Sequence, residues 1–599
     1  MADKKIPKRS EVKKEHTWAL EDLFASDELW TEALAEAEKF AERLLAMKGT
    51  LGQSAQNLLK YFELNDEISL AVEKLANYAM RKSDEDTANS KYVDMRGKLM
   101  GAFIRINTAD AFASPEIMAI SDETIDAFFA AEPKLELYRR AIGLIRRRKA
   151  HVLSEAEEKI IAAVGEVTEA PENIAGVFRN ADLKFPDVAD SKGEMHPLTS
   201  GSYIPLVESS DRVLRENAFK TLYHTLASFR NTSAAFLDGQ MKQLKFYADV
   251  RKYNSTIEAS LDRTEVPVEV YHNLIKAVHE KMDYMYKYAD LRKDLLGVDE
   301  LHMYDLYTPI VADADEVITF EEAKKIVTTA LAPLGEDYIA NLKEGLENRW
   351  IDIYENEGKR SGAYSAGGRP HPYVLLNHKD NLNSMFTLAH EMGHAMHSFY
   401  SCKNQPVVYS DYVIFVAEVA STCNEVLLMK HLLANTEDKN KRAYLINYFL
   451  EQFRTTLYRQ TMFAEFELQM NQMVERGEAL TADALCKAYH DLNKLYYGDR
   501  MVVDEEIAME WARIPHFFYN YYVFQYATGF SAAVALANRI LTLGESAVKD
   551  YLGFLSGGGS ADPITLLKGA GVDMSTTKPV EDALDMFGEL IDEMRELMK

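Results

Sequence analysis

The feature that most constrains this chain is a run at residues 384–400 that is apolar on nearly every side yet carries two histidines and a glutamate. Met385, Phe386, Leu388, Ala389, Met392, Ala395, Met396 and Phe399 surround His390, Glu391 and His394, a pattern that requires a helix buried inside a larger helical body. Within it, His390-Glu391-Met392-Gly393-His394 has the H-E-x-x-H spacing. Two imidazoles four residues apart leave a helix from one face and can share one tetrahedral Zn2+, while Glu391 can serve the attacking water as general base. Burying these groups without partners would cost several kcal/mol, which metal ligation offsets. That favours a metal site over a pair of surface histidines.

The third ligand is not supplied by the longer pattern H-E-x-x-H-x-x-G-x-x-H, because His397 and Tyr400 stand where its Gly and last His would be. His397 is roughly 10 Å along the helix axis from His390, too far to share the ion, and is expected to support the ligands or pack in the core. The candidate is Glu418, in Phe415-Val416-Ala417-Glu418-Val419-Ala420-Ser421. Residues 412–433 read as a second buried helix, and a carboxylate embedded there needs a partner. Ser421 and Glu425 share the face of Glu418 and could hydrogen-bond the ligands. Glu425 reads equally well as an ordinary surface acid.

Around this centre the chain predicts a mainly α fold. Only 29 Gly and 16 Pro occur in 599 residues, and long windows keep the helical period. Residues 30–45 place Leu34, Ala37, Phe40, Ala41, Leu44 and Leu45 on one face of a single amphipathic helix. Ser154 with Glu157, and Thr319 with Glu322, have capping-box spacing and mark helix starts. Three segments, 183–207, 301–311 and 350–377, break the pattern and read as short strands and turns. The last resembles a small antiparallel sheet just before the H-E-x-x-H motif.

A second constellation, Pro515-His516-Phe517-Phe518-Tyr519-Asn520-Tyr521-Tyr522-Val523-Phe524-Gln525-Tyr526, offers an imidazole and phenols that can stabilise an oxyanion. Tyr522 and Tyr526 are spaced to share a helix face, with Tyr519 three residues before Tyr522. The alternative is an aromatic packing stripe.

The net charge of −26 disfavours nucleic acid. No stretch approaches ~18 consecutive apolar residues, which excludes a membrane-spanning helix, and the polar N-terminus has no apolar signal region. Three scattered cysteines, Cys402, Cys423 and Cys486, make no disulfide framework, which fits a reducing, cytoplasmic setting.

With these residues assembled, the chain resembles the oligoendopeptidase F group of the M3, thimet oligopeptidase-like, zinc metallopeptidases. The resemblance is carried by Leu388 through Ser398, by Glu418-Val419-Ala420-Ser421-Thr422, by Lys359 through Ser365, by Tyr522 through Gly529, and by the tail from Gly557-Gly558-Gly559-Ser560 to Met574. It implies a mainly α, two-lobed helical zincin-type metallopeptidase with its site in a deep channel. It also implies an N-terminal helical lobe at 1–200, including an oligopeptidase F N-terminal-type region at about 110–185, and a catalytic region at 201–599. One Zn2+ would be bound by His390, His394 and Glu418, with Glu391 as base. His516, Tyr522 and Tyr526 would stabilise the transition state, and Tyr519 is the alternative to a family tyrosine that aligns with Gly529. The 362–368 segment resembles an edge strand that pairs with the backbone of a short oligopeptide substrate.

Two rivals remain open to the sequence. A carboxypeptidase or dipeptidyl carboxypeptidase on a related fold would need a fixed cation for the substrate carboxylate, for which Arg513 is the nearby candidate. An inactive peptide-binding relative is opposed by the intact Glu391.

Overall fold

The computed structural model describes residues 6–311 and 316–599. Helices dominate, interrupted by a two-stranded and a three-stranded sheet among the described residues. No helix is long and apolar enough to cross a membrane. The chain divides into two compact units that are not consecutive in sequence. One comprises Met1–Ala150, Asp315–Leu428 and Leu536–Gly571; the other comprises His151–Ala314, Met429–Ala535 and Val572–Lys599. The chain-order division at residue 200 therefore does not coincide with the compact units.

In the first unit, the opening helices build a core from Trp18, Trp30, Leu58, Phe62, Leu99, Ile117 and Tyr138 that also takes in Tyr373 and Leu375 of the sheet. Residues up to 150 thus share a core with the segment that leads into the H-E-x-x-H motif. Polar contacts reinforce this attachment: Trp18 donates its indole N–H to the Val374 carbonyl at 2.7 Å, and Arg9 pairs with Asp352 at 2.6 Å. Lys359, with its side chain fully buried, reaches Asp352 at 2.7 Å and donates to the Tyr354 and Leu376 carbonyls at 2.7 and 2.6 Å. A buried ammonium persists only when its donors are met in this way.

The sheet itself differs from the expected antiparallel form. Ile351–Asp352 pairs parallel to Tyr373–Leu375, and Tyr364–Ala366 pairs antiparallel on the other side. The order places the fully buried strand Tyr373–Leu375 in the centre. The sheet is mixed because the intervening residues contain the edge strand, so the chain returns to residue 373 in its original direction. Strand Tyr364–Ala366 also packs against the motif helix, and a Cβ at the adjoining Gly367 would stand 2.8 Å from Ser398 Oγ.

Both capping boxes form, at Ser154 with Glu157 and at Thr319 with Glu322. The single helix expected at 30–45 is instead two, Asp27–Ala37 and Phe40–Leu45. The chain turns at Glu38 and Lys39, which rotates Leu45 off the shared face and leaves it 55% exposed. Segment 183–207 holds a hairpin of Val188–Ala189 with Met195–His196, followed by a short helix, Tyr203–Val207. Segment 301–311 is mostly irregular around a 3-10 turn at Met303–Asp305.

Candidate metal centre and active site

Two buried helices carry the expected ligands. The motif helix runs Leu382–Asn404, starting from Asn381, whose side chain accepts the Ser384 amide. The second runs Ile414–Ala434. They approach at Gly393, where a Cβ would fall 2.5 Å from Ser421 Cα and 2.7 Å from the Ala420 carbonyl oxygen. Only glycine allows that approach, since both obstacles are backbone. Asn424 secures the pair by donating to the Ala389 carbonyl at 3.1 Å, and the Tyr338 hydroxyl donates to Asn424 Oδ1 at 3.0 Å. Neither Gly393 nor Asn424 stood out in the sequence. A glycine within an apolar helical run is the signal that could have marked the contact.

This approach brings together the three predicted ligands. One donor atom each from His390, His394 and Glu418 lies within 4.8 Å of the others. Glu418 Oε2 is 3.3 Å from His390 Nε2 and 3.4 Å from His394 Nε2. Those separations are long for charge-assisted hydrogen bonds. They match the edge of a tetrahedron with bonds of ~2.0–2.1 Å, which is about 3.3–3.4 Å, so the donor set fits a zinc-sized ion.

The surrounding groups aim these atoms. Glu425 accepts from His390 Nδ1, which turns Nε2 toward Glu418. Glu425 is thus a largely buried acid bonded to His390 rather than an ordinary surface one. Ser421 Oγ contacts Glu418 Oε2 at 3.1 Å and its carbonyl at 3.0 Å. Burial would raise the Glu418 carboxyl, but the facing His390 and His394 rings outweigh it and hold it well below the usual range. Burial would likewise lower His390, yet Glu418 and Glu425 carry it well above its ordinary value.

Glu391 is buried at 6% exposure, and its Oε2 has no hydrogen-bond partner among the described residues. Burial pushes its carboxyl above the ordinary value against the opposing pull of the two histidines. A buried carboxylate with a free oxygen beside a donor triad is suited to take up a proton. His397 takes no part: its ring stacks on Tyr412 at 3.7 Å and lies 5.2 Å from Phe554. Burial drops its pKa to about 3, so it is a neutral core residue.

In the second unit the aromatic segment separates into two sets. Phe517, Phe518, Tyr521 and Phe524 are buried, with the Tyr521 hydroxyl 2.9 Å from Thr256 Oγ1. His516, Tyr519, Tyr522 and Tyr526 gather on a more exposed side, with His516 ring distances of 5.5, 6.3 and 6.0 Å to the three tyrosines. Tyr522 is 5.3 Å from Tyr526. Sharing a helix face does not explain that contact, because the helix Phe524–Leu543 starts after Tyr522. The cause is a left-handed turn at Asn520 and Tyr521, with φ of 54° and 58°. It is held by Glu467 Oε1, which accepts the Tyr521 amide at 2.6 Å, and by Gln240, which donates to Asn520 Oδ1 at 3.0 Å. Burial lowers the His516 pKa. Arg513 is committed elsewhere: it pairs with Glu510 at 2.7 Å and lies over the Tyr203 ring.

Comparison with known proteins places the chain in a family. Residues 206–586 match the family description Peptidase family M3, and residues 116–185 match Oligopeptidase F. The chain is 47% identical over 594 residues to the oligopeptidase PepF of Bacillus subtilis, covering 99% of this chain and 89% of that one. It is 39% identical to an oligoendopeptidase F homologue of Lactococcus lactis, covering 99% and 98% of the two chains. A crystal structure of a peptidase from Chlamydophila abortus superposes with a TM-score of 0.94 at 34% identity, covering 99% of this chain and 100% of that one. Oligoendopeptidase F from Enterococcus faecium gives 0.73 at 40% identity, covering 96% and 98%. The chain belongs to peptidase family M3, in its oligoendopeptidase F group.

Proposed function

We propose that this family M3 metalloendopeptidase holds one Zn2+ on His390, His394 and Glu418 and hydrolyses internal bonds of short oligopeptides in the cytoplasm, with Glu391 as general base. The observation that carries the reading is the pair of Glu418 to histidine distances, 3.3 and 3.4 Å, with His390 Nδ1 already engaged by Glu425. The names of the relatives, oligopeptidase and oligoendopeptidase F, support short peptides as substrates.

Zinc on these residues supplies a Lewis acid that polarises a carbonyl and lowers the pKa of water. Glu391, raised by burial, takes a proton from the attacking water and passes it to the leaving amine. Glu425 keeps the His390 ring in one tautomer throughout. His516, kept neutral near pH 7 by burial, and Tyr522 and Tyr526 offer N–H and O–H donors to the developing oxyanion, with Tyr519 as a further donor. The edge strand Tyr364–Ala366 supports backbone pairing with an extended peptide.

The carboxypeptidase alternative is weakened because Arg513 is already paired with Glu510. The test is digestion of a peptide blocked at both ends, read by mass spectrometry, with zinc counted by elemental analysis. Internal cleavage with one zinc per chain is expected. No cleavage of the blocked peptide, with residues removed only from the C-terminus of its unblocked form, would sink the endopeptidase reading.

A further inference from the structure

The second unit contains several buried or partly buried arginines, and they are matched to acids. Arg459 and Arg513 share Glu510 at 2.7 Å, and Arg454 and Arg292 reach Glu451 at 2.6 and 3.2 Å. In a chain of net charge −26 such matching is easily met. Arg179 departs from it. It sits in the π-helical turn Phe178–Asp182, a helix irregularity frequent at functional sites. The residue is half-buried, and its guanidinium lies over the Phe518 ring with Cζ 5.0 Å from the centroid. Among the described residues it has neither an ion pair nor a hydrogen bond. Glu172, on the preceding helix Ala170–Val177, acts on it only through its charge.

A guanidinium held over an aromatic face keeps its N–H donors available for a bidentate carboxylate. The ring beneath it belongs to Phe518, next in sequence to the exposed Tyr519 and two residues from His516. Burial lowers the Arg179 pKa, and Tyr519 is the largest opposing influence. The cation is therefore partly desolvated, lacks an acid of its own and feels the Tyr519 phenol of the His516 cluster.

We propose that Arg179 is a substrate-binding residue that receives a peptide carboxylate, either the free C-terminus or an acidic side chain. This rests on the reading of the His516 cluster as substrate-facing. Such a contact would bind substrate without taking part in bond cleavage, so it should act on KM rather than kcat.

The test compares three forms of one peptide: free C-terminus, C-terminal amide, and C-terminal amide with a terminal Glu in place of Gln. With the wild type, amidation should raise KM about tenfold, in line with loss of a charge-assisted contact of about 1.4 kcal/mol. Arg179→Gln should raise KM to a similar degree for the free acid and leave the amide unchanged, with zinc content and melting temperature unaltered. A penalty confined to the Glu peptide would assign the contact to an acidic side chain. Arg179→Lys should recover part of the affinity. If wild-type KM ignores both amidation and terminal Glu, or if Arg179→Gln weakens every form equally, the proposal is overturned. Internal cleavage of the amide by Arg179→Gln would continue in either case, so the endopeptidase reading is judged separately.

Discussion

Gly393 meets Ser421 backbone to backbone: a Cβ on residue 393 would lie 2.5 Å from Ser421 Cα and 2.9 Å from its amide nitrogen. The proposed metal ligands are brought together by this contact, because it sets the separation of the helices that carry His390, His394 and Glu418. Gly393→Ala must push the helices apart. The expected result is a loss of about 1–3 kcal/mol in denaturant unfolding of the metal-free protein and a weaker zinc affinity in competition titration. An alanine variant with unchanged zinc affinity would show that the spacing is not critical.

Glu425 orients His390 from behind. Glu425→Ala should therefore lower zinc affinity by about 10- to 100-fold while leaving Glu391 in place. Chelator competition measures this directly, and with saturating zinc most of the activity should return.

Tyr522 and Tyr526 are proposed to meet charge that appears only in the transition state. Tyr522→Phe or Tyr526→Phe should lower kcat by about 100- to 1,000-fold with little change in KM. A change in KM alone would make them ordinary binding residues.

Glu467 gives a pH signature. It is fully buried, and burial raises its pKa to about 8 despite the hydrogen bond from the Tyr521 amide. The folded state therefore holds a proton that the unfolded chain releases near pH ~4.3. Its contribution is fully present below that value and is lost as pH rises to about 8, with a slope of at most about 1.4 kcal/mol per pH unit. Glu467→Gln, a neutral isostere, should flatten that slope in unfolding measurements at pH 5 to 8. An unchanged slope would mean that Glu467 is ionised in the fold.

Much of the centre was legible because its chemistry is local. H-E-x-x-H is a helix-spacing rule, and Glu418 is conspicuous as an acid among Val, Ala and Phe. Capping boxes are local too, and both formed as expected. What the sequence hid depends on contacts between distant segments. The parallel pairing of Ile351–Asp352 depends on how the chain returns to residue 373. The break at Glu38 and Lys39 has no proline or glycine to announce it. The cluster of His516 with three tyrosines depends on a left-handed turn at two non-glycine residues held by Glu467 and Gln240. Spacing alone cannot anticipate such a turn.

Glu391 is proposed to move the proton beside a zinc held by other residues. Glu391→Gln keeps the shape and removes the basicity, so the decisive measurement is single-peptide turnover together with zinc content on the same preparation. One zinc per chain and a kcat lowered by about 100- to 10,000-fold are expected. A variant that keeps both its zinc and its wild-type kcat would contradict that role.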